Sequence, residues 1–296
     1  MASHWSLDDI PWNRFDPAKV DPVILAVVKA AALVEANSPD YVTYLCNIFP
    51  DRPDLYPLIE QWGLEEAQHG KALARWAEMA DPDFIFTRSL AQFRAGYSLP
   101  LEATQSVRGS AAGEMIARCI VEVGTSSFYS AIRDAAREPV LAEICRHIAA
   151  DEMRHFRLFR DCLDNVGAGV RPPLFQRLRI AWGRIAEAED DELSYAYYSA
   201  NKAFLPEPPA YKRKDCALSY WAGAMSLYRR AHIDHAVKMV FRAVDLAPAG
   251  LTARLTSRLA WRLVSWWAAW LKRQGWLGAD YTVTSTRCSG CGSRSR

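Results

Sequence analysis

Trp62-Gly63-Leu64-Glu65-Glu66-Ala67-Gln68-His69-Gly70 and Ile148-Ala149-Ala150-Asp151-Glu152-Met153-Arg154-His155 carry the same tetrad, Glu-x-x-His, with the two copies 86 residues apart. Residues three apart on a helix project to one side, so each tetrad can present a carboxylate and an imidazole to one metal ion. Glu35 and Glu122 precede the tetrads by 31 and 30 residues and are themselves 87 apart. Each follows an apolar helical stretch: Val23 to Val34 is interrupted only by Lys29, and Met115 to Val121 only by Arg118. A carboxylate on such a face is costly to bury unless it is paired or bound to a cation. One Glu-x-x-His is commonplace as a solvated pair; two copies with matched upstream glutamates are the ligand pattern of a di-iron or di-manganese helical bundle. Glu35, Glu66, His69, Glu122, Glu152 and His155 are therefore the candidate metal ligands.

Helical periodicity runs through the chain and sets the fold class as all-α. Asp21-Pro22 starts a first helix that is predicted to reach about Cys46, with Glu35 near its middle. Asp54 can cap a second helix ending near Met79. Residues 81 to 109 read as a crossover with a short helix at Leu90 to Ala95. Ser110 opens a third helix running to about Arg137, and Pro139 a fourth reaching Asn165. Two helical hairpins joined by one long crossover make a ferritin-like four-helix bundle. A fifth long helix is predicted from Leu174 to about Phe204, carrying the acidic run Glu187 to Glu192, read as a solvated face, and Tyr195, Tyr197 and Tyr198, read as packing residues. The expected organisation is a di-metal bundle over 18–206, a C-terminal helical extension over 207–273, and a disordered tail over 274–296.

At the quoted motifs the chain resembles the soluble acyl-carrier-protein desaturases within the ferritin-like di-iron superfamily. It also resembles a broader set of bacterial ferritin-like proteins of unassigned activity. Trp62 to Gly70 is similar to the desaturases' W-x-x-E-E-x-x-H-G motif, Ile148 to His155 to their I-A-A-D-E-x-R-H motif, and Glu122-Val123-Gly124-Thr125 to their E-x-x-T. The likeness covers residues 20 to 166 and fades beyond. It implies that the six ligands hold two iron ions, with manganese as the alternative, that Glu66 and Glu152 bridge them, and that Thr125 sits on the oxygen-binding side. It further implies an external electron donor.

Composition bounds the partners. With 36 basic and 34 acidic residues in 296, the net charge of +2 gives no electrostatic case for nucleic acid. The N-terminus has no basic stretch followed by an apolar run, so no signal peptide is visible. Seven scattered cysteines fit a reducing, cytoplasmic setting. Cys288-Ser289-Gly290-Cys291 resembles half of a rubredoxin-like or zinc-ribbon knuckle, but a tetrahedral thiolate site needs four ligands. Residues 215 to 248 have the length of one tetratricopeptide unit, and one unit cannot bury its own faces, so a helical hairpin against the bundle is expected. His232 and His235, lacking partner carboxylates at matching spacing, read as surface residues. The helix at 251–273 combines four tryptophans with flanking Arg254, Arg258, Lys272 and Arg273; packing or homodimer contact is favoured over a membrane surface.

Three functions fit this reading. The first is an oxygen-dependent di-iron oxidoreductase taking hydrogen from an aliphatic, fatty-acyl or other small-molecule substrate, with Lys212 to Lys214 a candidate patch for an acyl carrier. The second is an iron-binding or peroxide-detoxifying protein without an organic substrate. In the third the metals only stabilise the fold. A long apolar cavity beside the metals would mark the first.

Overall fold

A computed structural model describes residues 5–166, 171–187 and 191–276; the tail with Cys288 and Cys291 lies outside the described residues. The regular elements are helices, with no strand among the described residues. α1 (Pro22–Glu35) begins where the Asp21 carboxylate accepts from the amides of Val23 and Ile24, at 2.8 and 3.2 Å. The predicted continuation to Cys46 is corrected: α1 stops at Glu35, and the chain bends by 41° into α2 (Ser38–Ile48). Pro39 is the cause. It has no N–H to donate to the Glu35 carbonyl, and its ring would clash there in a continuous helix. Glu35 thus sits at a helix end beside a bend rather than mid-helix.

α3 (Tyr56–Ala80) follows a 3₁₀ turn that contains Asp54. α4 (Phe86–Gly96) occupies the crossover and is longer than predicted. α5 (Ala111–Ala135) is capped by the Ser110 hydroxyl, which accepts the Gly113 amide at 3.0 Å. α6 (Pro139–Val166) starts where the Glu138 carboxylate takes the amides of Val140 and Leu141 together with the Trp76 indole. α5 and α6 pack along their length, α1 and α2 pack on α3, and α3 meets α6.

The predicted fifth long helix is also corrected, because two helices stand in its place: α7 (Leu174–Ala186) and α8 (Asp191–Asn201). Residues 188–190 between them lie outside the described residues. An acidic run is unfavourable at the negative C-terminal end of a helix and favourable at an N-terminus. Accordingly Asp191 and Glu192 fill the first turn of α8, while Glu187, at the unfavourable end of α7, is held by the Arg108 guanidinium.

α9 (Arg213–Leu227) and α10 (Arg230–Ala243) form the expected hairpin, and α11 (Leu251–Arg273) packs on both. α9 lies against α8 and α1, and α10 against α5. His232 corrects the sequence reading: it is buried, accepts the Arg229 amide at 3.0 Å through Nδ1, and meets Asp134 at 2.9 Å through Nε2. Among the described residues no single helix is long and apolar enough to cross a membrane; α1 with α2 has the length and composition, but the pair is bent and α1 is buried.

The apolar interior divides in two. One cluster holds Leu33, Leu73, Phe128 and Ile148, and the other Leu45, Trp62, Met115 and Phe156. Along α3 and α6, and from α1 into α2, the chain passes from one cluster to the other at the predicted ligands. Glu35 falls between Leu33 and Leu45, Glu66 and His69 between Trp62 and Ala72, and Glu152 and His155 between Ala149 and Phe156. A polar seam therefore cuts the core.

Candidate metal centre

The seam brings all six predicted residues together. Glu35, Glu66, His69 and Glu152 form one group of buried ligand atoms, and Glu66, Glu122, Glu152 and His155 a second; within each, the atoms lie within 4.8 Å of one another. Glu66 and Glu152 belong to both groups. Around His69 Nδ1 stand Glu152 Oε1 at 3.3 Å, Glu66 Oε2 at 3.6 Å and Glu35 Oε2 at 3.7 Å. Around His155 Nδ1 stand Glu66 Oε1 at 2.9 Å, Glu122 Oε2 at 3.6 Å and Glu152 Oε2 at 3.9 Å.

The far side of each imidazole is held by a carboxylate from the facing helix. His69 Nε2 meets Asp151 at 3.0 Å and His155 Nε2 meets Glu65 at 2.9 Å. With those carboxylates accepting from Nε2–H, each ring turns its Nδ1 into the cluster, the arrangement that fixes orientation in metal-bound histidines. Arg154 ties the two carboxylates to each other, and the Trp5 indole donates to Asp151 at 2.8 Å while its ring stacks on His69. Sequence reasoning passed over Glu65 and Asp151. Their signal was present as an acid immediately before each tetrad glutamate.

Two hydroxyls complete the surroundings. Thr125 donates to Glu152 Oε2 at 2.5 Å. The buried Tyr129 donates to Glu35 Oε1. Tyr129 was not singled out from sequence, although it lies seven residues, two helical turns, beyond Glu122 on α5. The tyrosines of α8 serve packing as predicted: Tyr197 is buried, and Tyr198 donates to the Pro209 carbonyl at 3.0 Å.

The donor set fits metal ions on two grounds. His69 Nδ1, His155 Nδ1, Glu152 Oε1 and both Glu122 oxygens are buried without hydrogen-bond partners, a cost that proteins avoid unless a ligand satisfies the atoms. The second ground is charge. Burial pushes the Glu35 and Glu122 carboxyls well above their usual range, and the neighbouring Glu66 charge adds to the rise at Glu35. Burial also opposes charging of His69 and His155, but the surrounding carboxylates outweigh it and raise both well above the usual imidazole value. At Glu66 the neighbouring Glu35 and the two imidazoles overcome burial and hold the carboxyl well below its usual range; Glu152 is lowered by the imidazoles against burial and the Glu66 charge. The crowded, buried carboxylates thus favour positive charge among them, which divalent cations would supply.

A cavity of about 140 Å³ adjoins the carboxylates, with Tyr41, Arg118, Arg184 and Glu192 in its wall beside Val34 and Leu193. That volume is below the roughly 300–1,000 Å³ of pockets for drug-sized ligands. Of the candidate carrier patch, Arg213 pairs with Asp191 at 3.0 Å and lies, with Lys214, on a separate groove between α7 and α9. No known protein family matches the chain, and no curated protein does either.

Proposed function

We propose that the chain is a ferritin-like di-iron oxidoreductase. The observation that carries this reading is the pair of buried ligand groups sharing Glu66 and Glu152, with unpartnered nitrogen and oxygen atoms turned inward. In this reading Glu35 and His69 hold one ion, Glu122 and His155 the other, and Glu66 and Glu152 serve both. Carboxylate and imidazole donors suit iron or manganese over metals that prefer thiolates. Bound ferrous ions would supply electrons for the reduction of dioxygen or peroxide, replenished by an external donor.

The chain's own residues supply position and exclusion. Asp151 and Glu65 orient the imidazoles, and Tyr129 holds Glu35. Thr125 keeps a proton on the Oε2 edge of Glu152, beside the cavity, where a proton can be handed to a reacting oxygen. Trp5 and Trp62 pack on the imidazoles, with Phe159 against Trp62, and keep bulk water out.

The small cavity favours a compact substrate, or the oxidant alone, over a fatty-acyl chain. Metal analysis with an optical spectrum before and after oxygen tests the centre: about two irons per chain are expected, and Glu66→Ala with Glu152→Ala should abolish both metal and spectral change. Metal retained by that double variant would overturn the proposal. Fatty-acid profiles of a host with and without the gene then separate substrates. An altered unsaturation pattern would assign an acyl substrate, whereas an unchanged pattern together with peroxide-driven iron oxidation would assign the iron-handling or peroxide-removing reading.

A further inference from the structure

Two helices turn apolar stripes outward. On α11, Leu251, Leu255, Leu259, Leu263, Trp266 and Trp270 follow at steps of four, four, four, three and four, which places them on one side. They are between 39% and 72% exposed. The opposite side is spent on the protein, with Ala253, Ser257 and Leu271 buried against the α9–α10 hairpin. Arg254, Arg258 and Arg262 line one flank, Lys272 and Arg273 follow in the last turn, and the helix contains no acid. The bundle therefore leaves uncovered the tryptophan-bearing face that the sequence had suggested would pack.

α7 repeats the pattern. Leu174, Phe175, Leu178, Trp182 and Ile185 are exposed, Phe175 and Trp182 by 78% and 71%, and the charged residues of this helix are Arg177, Arg179 and Arg184. α9 packs on α11 and lines a groove with α7. Trp221 faces Gly183 and Ala186 of α7 across a groove of about 860 Å³, and its ring lies 6.1 Å from that of Trp267 on α11.

We propose that α11 seats the protein on an anionic lipid surface. An amphipathic helix with tryptophan and leucine on one face, flanked by arginine and free of acids, is the form that lies in a bilayer interface with its apolar side among the headgroups. The charge decides between occupants. A second copy joined through α11 would bring five more cations to an interface whose helix offers no carboxylate, doubling an uncompensated charge. Anionic headgroups neutralise it, each near-surface cation adding about fivefold to the affinity. The proposal is independent of what the metal centre does.

Flotation of the full chain with phosphatidylcholine vesicles, with and without phosphatidylglycerol, tests it. Binding is expected only with phosphatidylglycerol and should weaken as salt rises. Arg254→Glu, Arg258→Glu and Arg262→Glu together should weaken it by on the order of 100-fold. Leu259→Glu with Leu263→Glu, at exposed positions that leave the helical signal and metal content intact, should reduce it to background. Absence of flotation with either vesicle, or binding unaffected by Leu259→Glu with Leu263→Glu, overturns the proposal. So does a dimer seen by light scattering that this double variant dissolves while vesicles stay unbound; that result assigns the face to a second copy.

Discussion

Asp151 and Glu65 stand behind the imidazoles, on the side away from the inward donors. Each accepts from the Nε2–H of a histidine on the facing helix, and each is itself held by Arg154. Removing such a partner in known metal sites lowers affinity by roughly 10- to 100-fold. Asp151→Asn and Glu65→Gln are each expected to lower iron affinity within that range, read by competition with a chromogenic chelator, while the helical signal stays unchanged; an affinity equal to the parent would refute the role. The six inward residues were legible in the sequence because their signal is local: a ligand pair three residues apart needs only one helix to be recognised. Glu65, Asp151 and Tyr129 were not, because a partner on a facing helix has no fixed sequence interval.

Between α1 and α3 the approach is close enough to make one glycine indispensable. A Cβ on Gly70 would stand 2.8 Å from the Ala36 amide nitrogen and 3.1 Å from the Ala36 Cα, at the bend that follows Glu35. Backbone cannot yield there without shifting Glu35. Gly124 on α5, two residues from Glu122, has open space around it. Gly70→Ala should therefore destabilise the protein by about 1–3 kcal/mol in urea unfolding. Gly124→Ala should be neutral or stabilise it by up to about 1 kcal/mol through helix propensity. Equal effects at the two sites would show that the α1–α3 contact is looser than described. The main helices with their hairpin order were legible from apolar periodicity and from caps such as Asp21 and Ser110. The bend was not read, although Pro39 marked it, because the apolar pattern continues on both sides of residue 36. The division of α7 from α8 was hidden for a related reason: the acidic run reads equally as one solvated face and as an end followed by a start. Burial of His232 and exposure of Trp266 depend on what stands opposite, which neither helix encodes.

Across the whole molecule, the seam between the two apolar clusters makes folding and metal content one question. With the cluster holding protons, several buried atoms lack partners; with cations in their place those atoms are satisfied, and ions that bind only the folded chain stabilise it by mass action, about 2.7 kcal/mol per site at a hundredfold excess over the dissociation constant. Loading the metal-free protein with ferrous ion is expected to raise Tm by several degrees and to release protons from Glu35, Glu122, His69 and His155. The sign follows from their raised pKa values: a proton held more tightly in the metal-free chain must still leave before the group can ligate. Uptake therefore weakens as pH falls. Calorimetry in buffers of different ionisation enthalpy measures the release, and a value near zero would contradict the proton-held cluster.

The crossed hold on the two imidazoles also bears on ancestry. α3 contributes His69 but relies on Asp151 of α6 to aim it, and α6 contributes His155 but relies on Glu65 of α3. Neither hairpin is a self-sufficient half. If the Glu-x-x-His repeat arose by duplication of one hairpin, the single hairpin could have worked only as a pair of identical chains, each lending its acid to the other. The acids beside the two glutamates would then be the surviving trace of that older partnership, now written into one chain.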